Sequence, residues 1–349
     1  MNLKTHNKRL RLAVVGAGLG ASPHFLSLEE LAGEVDVAWV HARDAQRLAH
    51  ARIPAGAIRT SRFEDILEDT SVQAVLVLTP ANAHLEVVER AARAGKHVLV
   101  EKPLEADLAR ATALVDACEK HGVMLGIMLQ HRLREAAVGL AGLIRSGEFG
   151  ELVSALASVR WWRPQSYYDE PGRGTLARDG GGVLMTQAIH TLDLMLSLIG
   201  LPETVIGIAG TSHMHQMECE DNAAALLRYA GGAVATVQAT TAAYPGFPER
   251  VELNFTKGSA TLEAGVMRAA FIDGRSVSLG TAQGSGGGAN PMAFDHAAHR
   301  AVIADFVQAV STGGTPAITG RSALDVQRVI AAIMASSKNG GSVLLSSVN

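Results

Sequence analysis

Leu10-Arg11-Leu12-Ala13-Val14-Val15-Gly16-Ala17-Gly18-Leu19-Gly20-Ala21 is the stretch that decides the fold. A short apolar run of strand character passes without a break into a turn with glycine at 16, 18 and 20. The spacing fits G-x-G-x-x-G/A with Ala21 in the third place. Gly16 permits the tight turn and Gly18 lets the backbone approach a pyrophosphate, with Leu19 and Gly20 completing the loop. Ser22-Pro23 follows and reads as a helix cap with a first-turn proline. Free N–H groups and the positive end of a helix would then face the phosphates.

Outward from this turn, Val- and Leu-rich runs recur at 35–41, 74–78, 97–101 and 123–129. Helical spacing separates them, most clearly over 84–93 and 104–120, and Gly95 and Gly122 close those two segments. Continuous apolar strands alternating with helices call for a parallel sheet covered on both faces. Right-handed crossovers make a doubly wound Rossmann domain of it, expected over 1–130.

Beyond residue 150 the character changes. A helix over 183–199 is followed by strands at 204–209, 222–229, 233–241, 250–256 and 259–263. Turn residues such as Gly231-Gly232 and Lys257-Gly258 separate them, as in a large, mainly antiparallel open sheet. The run Gly284-Ser285-Gly286-Gly287-Gly288 reads as a mobile loop, and helices over 291–311 and 322–336 end the chain. Residues 131–349 are thus expected to form an α+β domain for substrate binding and oligomerisation.

The chain has 349 residues, enough for two cores, and a formal net charge of −3. That balance offers no basic field to nucleic acid or to an anionic membrane. The most apolar helix, 183–199, is broken by Gln187, His190 and Asp193, which makes it a buried helix and not a span. The N-terminus is polar and lacks an apolar signal core, and Cys118 and Cys219 lie far apart. Both features favour a cytoplasmic protein with reduced thiols. His213 and His215 have no third ligand nearby in sequence, so no metal site is expected there.

Three groups of residues carry candidate chemistry. At the end of the second strand, Ala42 stands where an acidic residue commonly holds the ribose of NAD, and Arg43 follows it. A small residue beside a guanidinium suits a 2′-phosphate, so NADP is favoured over NAD, with Asp44 as the competing ribose ligand. Lys102 in Glu101-Lys102-Pro103 falls at the carboxyl end of a strand, where ligands of open α/β sheets bind. It could serve as acid or base there. In the glycine-led helix after Gly180-Gly181-Gly182, Thr186, His190 and Asp193 follow one face at i, i+4 and i+7, beside Gln187. Such polar groups on an apolar helix face either a site or a hydrogen-bond network.

Together these residues resemble the Gfo/Idh/MocA oxidoreductase family, which includes glucose–fructose oxidoreductase and inositol dehydrogenase. The resemblance rests on Gly16-Ala17-Gly18 with His24, Thr79-Pro80-Ala81-Asn82-Ala83-His84, Glu101-Lys102-Pro103 and the helix with His190 and Asp193. Ser146-Gly147-Glu148-Phe149-Gly150, Asp305-Phe306 and Thr315-Pro316 extend it over nearly the whole chain. It implies hydride transfer between a carbinol carbon of a sugar, cyclitol or related ring compound and the nicotinamide. Lys102 would be the main catalytic residue, with His190 its partner on the substrate hydroxyl. Thr79, Pro80, Asn82 and His84 would line the cofactor, and Glu101 would contact the ribose on the nicotinamide side. Many relatives carry Asp four residues before the histidine; Thr186 stands there and cannot be a general base.

Arg163, Tyr168 and Arg173 are candidate substrate contacts, suited to stacking on a ring and clamping a carboxylate, the alternative being a structural corner. Two rival readings stand beside the dehydrogenase: a non-catalytic NADP-sensing protein, and an isomerase or lyase that uses tightly held cofactor. The family's second-domain sheet commonly joins subunits, so a homodimer or homotetramer is expected.

Overall fold

The computed structural model describes residues 9–282, 287 and 295–348. Most of the glycine-rich run 284–288 and the start of the helix expected from 291 lie outside the described residues. The chain forms two compact units.

The first unit runs to Glu105, continues over Arg110–Met128 and takes in His296–Arg321. Its six-stranded sheet comprises β1 (Leu10–Val15), β2 (Val35–His41), β3 (Ile58–Thr60), β4 (Ala74–Val77), β5 (His97–Val100) and β6 (Leu125–Ile127). Helices α1 (Ser22–Glu30), α2 (Ala45–His50), α3 (Phe63–Glu68), α4 (His84–Arg93) and α5 (Leu108–Lys120) connect them. All pairings are parallel and the order is β3-β2-β1-β4-β5-β6, the doubly wound arrangement with its switch point between β1 and β4. All four residues of β4 are buried, as a strand covered on both faces requires. In α4 the buried residues His84, Val88, Ala91 and Ala92 recur at helical spacing and seat that helix.

The second unit carries α6 (Glu135–Arg145), β7 (Leu152–Arg160), α7 (Gln165–Tyr168), α8 (Leu176–Asp179) and α9 (Ile189–Ile199). Then come β8 (Thr204–Gly210), β9 (Asn222–Arg228), β10 (Val234–Thr240), β11 (Arg250–Phe255), β12 (Gly258–Glu263), β13 (Val266–Phe271) and β14 (Ser276–Leu279). After α10 (Ala297–Thr312) the chain ends with α11 (Gly320–Asn339) and β15 (Val343–Leu344). The sheet has nine strands in the order β14-β13-β12-β11-β7-β10-β9-β8-β15. It is antiparallel but for the β7–β10 pair, where β7, a strand not expected from the sequence, lies in mid-sheet. β9 and β10 alternate exposed and buried residues, so one face of the sheet is cored by Ala223, Ala225, Leu227, Ala235, Val237 and Ala239.

Two details differ from the sequence reading. Ser22 is already helical: a 3-10 turn over Leu19–Ala21 leads directly into α1, whose N-cap is Ala21 without a side-chain cap bond. The segment carrying α10, placed in the second domain from sequence, belongs with the first unit. Phe306 is buried there at a spot beside β6 that Gly126 leaves open, since a Cβ at 126 would meet its ring at 2.8 Å. Among the described residues one stretch, Leu176–Ile199, is long and apolar enough to cross a membrane, and most of it is buried within the protein.

Candidate functional site

In the first unit the loops after β1, β2, β4 and β5 leave the same edge of the sheet. Backbone bonds align them: Gly16 N–H donates to His41 O at 2.8 Å, Leu78 N–H to Val15 O at 2.8 Å and Glu101 N–H to Val77 O at 2.9 Å. Gly16 has φ of +115°, and a Cβ there would meet the Leu78 carbonyl at 2.7 Å. Only glycine allows β1 and β4 to part this closely. Gly18 and Gly20 instead open outward, with nothing within 4 Å of a Cβ at either position. A pyrophosphate could therefore approach the backbone there, beside the N-terminus of α1. The Thr79 hydroxyl, at the head of the loop after β4, is buried without a hydrogen-bond partner, an orphan that a bound cofactor could satisfy. Pro80 and Asn82 are exposed in the same loop, Ala42 is half-buried and Arg43 exposed.

His84 departs from its expected place on the cofactor surface. It is 1% exposed, with Nε2 2.8 Å from the Thr79 carbonyl oxygen and Nδ1 3.1 Å from the carbonyl oxygens of Pro103 and Leu104. The ring braces the loops after β4 and β5 from beneath, and burial pushes its pKa below the usual histidine value.

Glu101 and Lys102 follow β5 directly, and the Lys102–Pro103 peptide is cis. The Glu101 carboxylate takes a hydrogen bond from His24 Nε2 at 2.7 Å and another from the Lys102 backbone N–H at 2.9 Å. Burial works to raise its pKa. The His24 hydrogen bond and the positive charges of His24, His299 and Lys102 outweigh that and hold it at about 2. Lys102 is half-buried at the carboxyl end of the strand.

In the second unit His190 is buried on α9, with its ring stacked on that of His131 at 4.9 Å. One helical turn on, Asp193 is 1% exposed in a bidentate pair with Arg132, at 2.7 Å to Nε and 2.5 Å to Nη2. His190 and Asp193 therefore share a face packed on the 3-10 turn Gln130–Leu133. Asp193 is spent on this ion pair and does not present a carboxylate to a ligand.

The expected face of Thr186, His190 and Asp193 is altered by a π-helical turn, Leu184–Ala188, at the start of the helix. Its wider winding changes the angle between Thr186 and His190. Thr186 Oγ1 donates to the Gly182 carbonyl at 2.6 Å and lies against Gln187 Oε1, while buried Gln187 reaches the Tyr167 hydroxyl at 3.5 Å. The helix start is held by Glu220, which accepts from the N–H groups of Gly182 at 2.9 Å and Leu184 at 3.1 Å. Burial raises the Glu220 pKa against those bonds. A Cβ at Gly182 would strike the Glu220 carbonyl oxygen, which accounts for one glycine of the leading run.

Arg163, Tyr168 and Arg173 form the structural corner. Arg163 is 2% exposed between the rings of Trp161 and Tyr167, and burial lowers its pKa. The buried Tyr168 hydroxyl bonds Thr241 Oγ1 at 2.6 Å. Arg173 pairs with Glu170 at 2.6 Å and donates to the Tyr167 hydroxyl. His215 anchors the corner between Asp221, at 2.7 Å, and the Arg163 carbonyl, whereas His213 is exposed in a turn and not in a strand. The guanidiniums expected to clamp a carboxylate are thus engaged within the protein. Both cysteines are free and buried, which pushes their pKa values up to about 12.

Sequence reasoning missed His131, Arg132 and Glu220. Each acts across a gap of dozens of residues, and no local spacing marks it. Gln130-His131-Arg132, directly after an apolar run, was the one available hint.

Comparison with known proteins agrees with this architecture. Residues 10–129 match the profile described as oxidoreductase family, NAD-binding Rossmann fold, and residues 139–261 match the Gfo/Idh/MocA C-terminal domain. The chain belongs to the Gfo/Idh/MocA oxidoreductase family. Among curated relatives, the match to uncharacterized oxidoreductase YrbE of Bacillus subtilis is 27% identical and spans 58% of this chain and 59% of the relative. The chain thus spans about three fifths of the length of that relative and of the next two. D-xylose 1-dehydrogenase (NADP(+)) 2 of Haloferax volcanii is 28% identical over 94% of this chain and 97% of its own length. The WlbA dehydrogenase from Bordetella pertussis, solved with NADH and UDP-GlcNAcA, is 25% identical, with a TM-score of 0.82 over 97% of this chain and 99% of that one.

Proposed function

We propose that this chain is an NADP-preferring dehydrogenase that moves hydride between a secondary carbinol carbon of a sugar, cyclitol or related ring compound and the nicotinamide. The observation that carries the reading is the sheet edge of the first unit. Glu101-Lys102 follows β5 next to the switch point, beside an open glycine loop and an orphaned Thr79 hydroxyl. Near full-length similarity to an NADP-dependent xylose dehydrogenase supports it.

The nicotinamide supplies the hydride acceptor or donor. In oxidation the neutral amine of Lys102 takes the hydroxyl proton as hydride leaves the carbon, and in reduction its ammonium returns that proton to the carbonyl oxygen. For His190 the family resemblance implies a contact with a substrate hydroxyl. Its stacking on His131, with Asp193 locked to Arg132 one turn later, fixes its ring. Thr186 stays out of the proton route because its hydroxyl is committed to the Gly182 carbonyl. Arg163 and Arg173 have partners within the protein, so neither is put forward as the clamp of a carboxylated substrate.

NADP preference rests on exposed Arg43 beside the small Ala42. Arg43→Ala is expected to weaken NADPH binding about 10- to 100-fold, the scale of a charge-assisted hydrogen bond, and to leave NADH nearly unchanged. Titrations followed by nicotinamide fluorescence measure both constants. Equal losses for the two cofactors, or NADH binding tighter than NADPH in the parent, would remove Arg43 as the phosphate ligand.

The outer face of the nine-stranded sheet exposes Ile206 (48%), Ile208 (75%), Leu226 (50%) and Val234 (43%), with Ile206 paired opposite Leu226. Exposed apolar residues on an open sheet fit a self-complementary contact between copies. Ile208→Glu should convert a dimer or tetramer to smaller species in light scattering after size exclusion, with the circular dichroism spectrum unaltered. A parent that already runs as a monomer ends this proposal.

A further inference from the structure

Within the first unit, three side chains from distant parts of the chain converge behind the sheet edge. His24 lies in α1 and is 1% exposed, His299 lies in α10 and is 5% exposed, and Glu101 follows β5. One ligand atom from each lies within 4.8 Å of the other two. The imidazoles of His24 and His299 meet edge to face, with centroids 5.1 Å apart and planes at 86°. Glu101 Oε2 is held by the Lys102 backbone N–H, which leaves Oε1 to face His24 Nε2 at 2.7 Å. His24 Nδ1 is buried with no hydrogen-bond partner.

We propose that His24, Glu101 and His299 form a binding site for one divalent transition-metal ion of the zinc class. Two imidazole nitrogens and a carboxylate oxygen are a donor set suited to Zn²⁺ or Co²⁺ and poorly matched to Mg²⁺ or Ca²⁺, which take oxygen ligands. Metal–ligand bonds of about 2.0–2.2 Å place donors roughly 3.4 Å apart, so His24 Nε2 and Glu101 Oε1 would open from 2.7 Å as the ion displaces the proton between them, and His299 would close on both. Now the carboxylate accepts the proton carried by His24 Nε2. When that nitrogen takes the ion instead, the proton it donates to the carboxylate is displaced. Three protein ligands leave a further coordination position open. The ion would tie α1, the loop after β5 and α10 together, and so brace the unit that carries the glycine loop. Sequence spacing conceals the set, because the ligands come from opposite ends of the chain.

The test uses the full chain stripped with a chelator. Zn²⁺ is titrated against a chromophoric competitor, and the Co²⁺-loaded protein is examined by visible absorption and thermal melting. The proposal expects one ion per chain, Co²⁺ d–d bands of the intensity given by four- or five-coordinate sites, and a melting temperature that rises with ion concentration. His299→Asn and His24→Asn should each lower Zn²⁺ affinity by about 100-fold or more. Mg²⁺ should change neither spectrum nor melting. Weak, six-coordinate Co²⁺ absorption in the parent, or Zn²⁺ affinity unchanged in a folded His299→Asn protein, overturns it. The parent's Co²⁺ spectrum decides the matter even where a variant fails to fold. No readout depends on turnover, so the result stands apart from the dehydrogenase reading.

Discussion

Lys102→Met should lower kcat about 100- to 10,000-fold, the range of a lost general acid–base group, while NADPH binds within about threefold of the parent. Methionine keeps the length of the side chain and removes only its capacity to move a proton. The Glu101 carboxylate bonds the backbone N–H of residue 102, so the local frame survives the change. A fall in kcat with cofactor affinity held is the mark of a group acting in the transition state and not in cofactor binding. The same variant separates the rival readings. A cofactor-sensing protein has no turnover to lose, so a parent without activity across sugars and cyclitols, with tight NADPH binding in both proteins, would favour that alternative. An isomerase or lyase would also lose activity in Lys102→Met, but the parent would release no reduced cofactor during turnover. Measuring NADPH release alongside product therefore decides between a net dehydrogenase and internal redox recycling.

The first unit was the more legible in sequence for a physical reason. Strands buried on both faces are written as unbroken apolar runs, and β1, β2, β4 and β5 lie where those runs stand. β3 escaped notice because it has three residues and exposes Ile58 and Arg59. In the second unit β7 is built of Leu152-Val153-Ser154-Ala155-Leu156-Ala157-Ser158-Val159-Arg160. Its small and polar residues blur the apolar signal, although the strand sits in mid-sheet between β10 and β11. Position at a strand's carboxyl end marked Lys102 correctly as lying on the sheet edge. What sequence spacing could not show is which polar residues are already consumed. Arg163, Arg173 and His84 read as ligands because their chemistry suits ligands, and each also has partners within the protein. A π-turn is equally silent in sequence, yet it changes which residues of the glycine-led helix share a face.

Breaking the Arg132–Asp193 pair should be the most destabilising polar change in the second unit. Arg132→Met leaves a carboxylate that is 1% exposed with its guanidinium gone, and such an unpaired buried charge costs about 3–5 kcal/mol. Burial then pushes the Asp193 pKa up without the countering effect of Arg132, and the carboxyl escapes part of the cost by taking a proton. The cost should therefore shrink as pH falls, because the variant's carboxyl gains more from protonation than the parent's, whose pKa burial already raises against the pull of Arg132. Asp193→Leu strands the guanidinium instead, but Arg132 also bonds Ser322 through its hydroxyl and its carbonyl, both at 3.2 Å, so the loss should be smaller. The double variant Arg132→Met/Asp193→Leu should regain most of the stability, because an apolar pair of similar volume carries no desolvation cost. Urea unfolding followed by circular dichroism supplies all four corners of the cycle. Single variants within about 1 kcal/mol of the parent, or strictly additive losses, would show that the pair is not held as a buried unit. Activity adds a second readout, since Arg132 stands next to His131 and the His131 ring packs on His190. If the pair fixes that turn, the double variant recovers stability before it recovers kcat, because a methionine–leucine contact fills the space without fixing the angle of the imidazole.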